Sequence, residues 1–179
     1  GAHNVYNALA AFAAACECGL DGERAAAGIS RFTGAHRRME YKGSFCGASV
    51  YDDYGHHPTE VRATLRTMRE VGTGRLFCVF QSHTYSRTAR LFEDFAAALA
   101  TADRTVVADI YAARETDTMG VSGERLAAET VKCGGNAVYG GNFEHIVEIL
   151  KAELREGDTL VVMGAGDIYR IYPMIGLHE

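Results

Sequence analysis

The chain has 179 residues, 47% of them hydrophobic, which is enough for one substantial core and at most part of a second domain. A formal net charge of −5 argues against a general nucleic-acid partner or a membrane-surface role, since both need a basic excess. No apolar run approaches a membrane span, and no basic start followed by a long apolar core marks a signal peptide.

Residues 4–18 are Ala-rich with apolar side chains on nearly every face, which predicts a well-buried helix ended by Gly19. A second short helix is expected over 22–28, and the polar stretch 32–38, containing Gly34, reads as a linker. The chain opens at Gly1, without a methionine, directly into helical sequence. Residues 1–35 are therefore expected to be the helical end of a preceding domain plus a hinge, and 36–179 the next domain. There the period changes: 39–41 and 48–51 read as short strands of a hairpin turning around 43–47. Pro58 then opens a helix, at the first turn where its missing N–H costs nothing, and that helix runs to Gly72. Strand 75–80, helix 88–100, strand 105–110, helix 122–132, strand 137–139, helix 143–154 and strand 159–163 follow, with a last helix beginning near Asp167. Apolar strands alternating with helices predict an α/β fold, a doubly wound, mostly parallel Rossmann-like sheet covered on both faces.

In such sheets ligands bind beyond the carboxyl ends of the strands. That rule selects four polar loops: DDYGHHP (52–58), QSHTYSRT (81–88), YAARE (111–115) and GAGD (164–167). His56 and His57 are adjacent, and no HExxH or cysteine pair completes a zinc set, so no metal ligand is assigned. The five cysteines (Cys16, Cys18, Cys46, Cys78, Cys133) lack framework spacing, which predicts packed thiols in a reducing, cytoplasmic setting. No GxxxxGK[ST] phosphate loop is present. Gly164-Ala165-Gly166 follows a strand, but Tyr169 stands where a dinucleotide fingerprint needs its third glycine, leaving an anion-binding turn or a purely conformational one. Arg87 could clamp a carboxylate through two parallel hydrogen bonds, or pair with Glu93 or Asp94 at the surface. Asp52 and Asp53 could cap the helix at Pro58 or face a ribose or a metal-bound nucleotide.

Five stretches in order, GAHNVYNALA (1–10), RRME (37–40), DDYGHHPTE (52–60), VFQSHTYSRT (79–88) and MGAGDI (163–168), resemble the Mur ligases. The last three are similar in particular to the alanine-adding members. The resemblance implies the carboxyl-terminal portion of an ATP-dependent ligase of peptidoglycan synthesis, joining L-alanine to UDP-N-acetylmuramate through an acyl phosphate. ATP and Mg2+ would be held mainly by an upstream central domain, so this chain alone is expected to be inactive. Carried over by position, His3, Asn4 and Asn7 would face the adenine. Arg37 or Arg38, with Asp53, would approach the ribose or phosphates. Tyr54, His56, His83 and Arg87 would line the L-alanine pocket, with Arg87 on the carboxylate and His56 as a proton acceptor. The chain departs from some relatives at Ser82 and Thr84, where they carry proline and a second arginine. The alternatives are another Mur-type ligase, such as the murein-tripeptide recycling enzyme, and a non-catalytic nucleotide- or amino-acid-binding module. A nicotinamide-dependent oxidoreductase is supported only by the GAG turn.

Overall fold

The computed structural model describes residues 2–178, with side chains from Asn4 onward. The chain divides into two compact units, residues 1–36 and 37–179. The first is a pair of helices, α1 (Ala2–Glu17) and α2 (Gly22–Ser30), with Gly19 in the left-handed region between them. Asp21 caps α2 by accepting from the Glu23 and Arg24 N–H groups. The expected burial of α1 does not hold: Tyr6 is 72% exposed, and Val5 and Leu9 are exposed too. Within this unit α1 has only α2 to pack on, and one short amphipathic helix cannot cover a helix that is apolar on every side.

The second unit is a six-stranded sheet in the order β1-β2-β6-β3-β4-β5. The strands are β1 (Glu40–Phe45), β2 (Ala48–Asp53), β3 (Leu76–Phe80), β4 (Arg104–Ala108), β5 (Ala137–Gly141) and β6 (Thr159–Met163). All neighbours are parallel except β1, which pairs antiparallel with β2. Cys46 and Gly47, both at positive φ, make the tight β1–β2 turn, the backbone that a two-residue hairpin demands. β3 and β6 are buried along their whole length, which is why they read as unbroken apolar runs.

Side chains alternate between two cores. One packs β3, β4 and β6 residues Cys78, Phe80, Val107, Val161 and Met163 against α3 (Pro58–Val71), α5 (Phe92–Leu99) and α6 (Gly123–Lys132). The other packs Phe77, Val79, Val106, Leu160 and Val162 against α7 (Phe143–Glu153) and the final segment, a 3-10 turn (Ile168–Arg170) leading into α8 (Ile171–Met174). The single helix expected over 88–100 is instead two, α4 (Tyr85–Arg90) and α5, broken at Leu91. No glycine or proline marks that break; Leu91 packs against the core and leaves helical dihedrals to do so (φ −118°, ψ 25°).

Candidate functional site

β6 lies between β2 and β3. The helices that follow β2 and β3 pack on one face, whereas the segment following β6 packs on the other. Chains leaving adjacent strands toward opposite faces open a crevice at the strand ends, here at Met163 with Asp53 and Phe80 on either side. The loops after β2, β3 and β6 meet there, and Tyr111 of the loop after β4 packs beside them.

The loop after β2 is organised by Glu60. Its Oε2 accepts from the N–H groups of His56 (3.0 Å) and His57 (3.1 Å), while His57 Nδ1 accepts from Thr59 N–H (3.3 Å). Burial works against the charge, but those donors and the neighbouring His56 and Arg38 hold the Glu60 carboxyl below the usual range. The helix is thus capped by His57 and Glu60, and neither Asp52 nor Asp53 is the cap. His56 Nδ1 lies 3.1 Å from the Tyr54 carbonyl oxygen. A carbonyl only accepts, so Nδ1 carries the hydrogen and, in the neutral ring, Nε2 presents its lone pair. The Tyr54 ring meets the His56 ring edge-on at 5.6 Å.

Beyond β3 the backbone stays paired with the loop after β4: Thr84 N–H donates to Tyr111 O (2.8 Å) and Tyr111 N–H to Ser82 O (2.9 Å). This sets the His83 and Tyr111 rings 5.4 Å apart. Thr84, at φ 69°, starts α4 and accepts from Arg87 N–H, and Glu115 accepts from the N–H and hydroxyl of Ser86. Those bonds hold the short helix that presents Arg87. Among the described residues no ion pair joins Arg87 to Glu93 or Asp94. Burial, then the charges of Arg87 and His56, push the His83 pKa below its ordinary value.

The turn after β6 closes the floor. Gly164 N–H donates to Asp53 O (3.1 Å), and Gln81 Nε2 donates to Asp167 Oδ1 (2.9 Å). A Cβ on Gly166 would lie 2.6 Å from Tyr111 Cγ, so only glycine admits this closure. Asp53 is 3% exposed, and its carboxylate accepts from Met39 N–H (3.0 Å), Gly55 N–H (2.9 Å) and the Thr64 hydroxyl (3.3 Å). Burial outweighs these donors and raises its pKa. In this structure Asp53 braces the loop from inside. The two hinge arginines also part. The Arg38 side chain is 49% exposed, with Glu60 3.8 Å away, whereas the Arg37 side chain is 12% exposed and bonds Asp52 Oδ2 (3.0 Å) and Gly164 O (2.8 Å). Arg37 thus turns inward, and Arg38 is the hinge cation that faces outward.

In the first unit Asn4 and Asn7 are exposed on α1, and the His3 side chain lies outside the described residues. Sequence reasoning missed Glu60, Tyr169 and Tyr172. Glu60 could have been found, because it stands three residues after His57 in capping-box spacing.

This arrangement of loops and sheet is matched by known proteins. The glutamate ligase domain of Mur ligases matches residues 37–166. The chain belongs to the Mur ligase family. It is 51% identical over 171 residues to the UDP-N-acetylmuramate–L-alanine ligase of Lachnospira eligens, covering 96% of this chain and 37% of that protein. The enzyme of that name from Clostridium novyi is 48% identical, over 97% and 38%. Among solved structures, the UDP-N-acetylmuramate-alanine ligase of Thermotoga maritima superposes with a TM-score of 0.77 at 27% identity, covering 97% of this chain and 37% of that one. A murein peptide ligase from Psychrobacter arcticus gives 0.75 at 25% identity, covering 98% and 36%. The chain thus spans little more than a third of the Mur ligases it matches. No helix among the described residues is long and apolar enough to cross a membrane. No group of three or more His, Cys, Asp or Glu among them is placed to hold a metal ion.

Proposed function

We propose that this chain is the amino-acid-binding portion of an ATP-dependent ligase that joins L-alanine to UDP-N-acetylmuramate in the cytoplasm. What supports the reading is that the loops bearing Tyr54 and His56, His83 and Arg87, and the Gly164 turn leave the neighbouring strands β2, β3 and β6, in a family whose members at 51% and 48% identity bear that enzyme's name. ATP and magnesium are assigned to the part of those longer proteins that this chain does not span, where they supply the phosphorylated acyl group. Arg38 is the exposed cation of this chain that would approach the nucleotide, and Asn4 and Asn7, with His3, would face its base.

Within the pocket, Arg87 binds the alanine carboxylate through paired, charge-assisted hydrogen bonds. Burial and the neighbouring Arg87 guanidinium disfavour the protonated form of His83, so its ring packs in the pocket without adding charge. His56, with its hydrogen held on Nδ1 by the Tyr54 carbonyl, offers Nε2 to the amine. As the nitrogen lone pair forms the amide bond, its proton passes to Nε2 and the acyl–phosphate bond breaks, releasing phosphate. Arg87 for the carboxylate, with the rings of Tyr54, His56 and His83 beside it, suits a small, uncharged side chain. An amino-acid titration of the full-length enzyme tests this. The expected order of kcat/KM is L-alanine above L-serine and glycine; a preference for a whole peptide or an acidic amino acid would reject it. The 179-residue chain alone is expected not to ligate.

A further inference from the structure

We infer that Arg37 is a positioning residue for the amino-acid pocket, a latch that locks the Tyr54 ring and the Gly164 turn to the hinge. Its guanidinium is used in three directions at once. Nε donates to Asp52 Oδ2 (3.0 Å), Nη2 donates to Gly164 O (2.8 Å), and Cζ lies over the rings of Tyr54 (5.1 Å) and Tyr169 (5.3 Å). The backbone repeats the connection: Arg37 O accepts from Tyr54 N–H at 2.7 Å, and Arg37 N–H donates to Glu40 Oε2 at 2.8 Å. Two non-glycine residues of the segment, Arg37 (φ 57°) and Met39 (φ 47°), sit in the left-handed region. That backbone is costly and persists only where its surroundings over-determine it.

Asp52, the anchor, is 1% exposed, and Tyr172 lies beside it; burial and the Asp52 charge both push the Tyr172 hydroxyl pKa up. Lys42, nearly buried, pairs with Glu40 (3.4 Å) and covers the Tyr172 ring (5.5 Å). The latch therefore rests on a balanced set of two acids and two bases under the β1–β2 edge. A lysine in place of Arg37 keeps the charge but has neither the flat face for two rings nor the forked donors for two acceptors in different directions. The arrangement fixes where Tyr54 stands relative to the turn that floors the crevice, while Arg38, one residue on, is left free to face outward.

This inference rests on Tyr54 being a pocket residue, so its test has two arms. In the full-length enzyme, Arg37→Lys and Arg37→Met are expected to raise the KM for L-alanine about tenfold or more, the scale of losing hydrogen bonds made to a charged group. The KM for ATP should stay within about twofold, because Arg37 faces inward. A raised ATP KM with an unchanged alanine KM would make Arg37 a nucleotide contact, and a lowered melting temperature with both KM values intact would make it merely structural; either overturns the latch. If the Met variant does not fold, the Lys variant, which keeps the buried charge, carries this arm. The second arm does not depend on the substrate. In the 179-residue chain the Arg37 Nε–H resonance, bonded to Asp52 and beside the Tyr54 ring, is expected to shift in Tyr54→Leu and in Asp52→Asn. A resonance indifferent to both substitutions overturns the latch even if L-alanine is the substrate; one that responds, with no alanine activity in the wild type, sinks only the reading of the substrate.

Discussion

His56 Nδ1 lies 3.1 Å from the carbonyl oxygen of Tyr54, two residues back, and this short local bond fixes which nitrogen of the ring is free. With the hydrogen committed to Nδ1, Nε2 of the neutral ring is left as an acceptor, which is what a base needs. His56→Gln in the full-length enzyme is expected to lower kcat by about a hundredfold, the lower end for a positioned base. An unchanged rate across pH would leave His56 as a wall of the pocket only.

His83 gives a prediction about stability. Burial, Arg87 and His56 lower its pKa in the folded chain below the ordinary value of 6.5. The unfolded chain therefore binds the proton more readily. The stability that His83 contributes is complete above the ordinary value and is lost as pH falls through the lowered folded value. Thermal melts of His83→Gln should show a smaller loss between neutral and mildly acidic pH than the wild type. A parallel loss in both proteins would mean that the ring is not held neutral.

Gly166 stands where two loops close on each other. An added Cβ would lie 2.5 Å from Gln81 Oε1 and 2.6 Å from Tyr111 Cγ. Gly166→Ala should cost about 1–3 kcal/mol, as overpacking usually does, read as a lowered denaturant midpoint. Because Tyr111 stacks on His83, the substitution should also weaken amino-acid binding in the full-length enzyme. A variant as stable as the wild type would show that the turn opens freely.

The thiols report on the fold itself. Cys18, Cys46 and Cys133 are exposed, whereas Cys78 is fully buried in β3 with its pKa pushed up to about 12 by burial and by Asp53. A thiol reagent added to the native chain should label the three exposed cysteines and spare Cys78 until denaturant is added. Rapid native labelling of Cys78 would contradict the placement of β3 at the centre of the sheet.

Much of this was legible in the sequence, for physical reasons that differ by element. The runs LFCVF and TLVVM announce strands buried on both faces, and the strand-end rule then points to the loops bearing Tyr54, His56, His83 and Arg87. What could not be read is orientation. Two adjacent arginines look alike in sequence, yet Arg37 turns inward to a buried Asp52 while Arg38 turns out. Asp52 and Asp53 likewise hide their roles, since both are buried and spent on internal partners: Arg37 for Asp52, and the N–H groups of Met39 and Gly55 with the Thr64 hydroxyl for Asp53. The break at Leu91 comes from packing, with no breaker residue to signal it. The Ala-rich α1 shows the same limit in reverse, because composition says that a face wants cover and not what covers it.

The central claim is that Arg87 holds the carboxylate of L-alanine, and the most direct measurement is the alanine KM of the full-length enzyme carrying Arg87→Met. Losing a paired, charge-assisted contact of about 1.5–3 kcal/mol should raise that KM by roughly ten- to a hundredfold while the KM for ATP and for UDP-N-acetylmuramate stays unchanged. An Arg87→Met enzyme that binds L-alanine as tightly as the wild type would contradict the account.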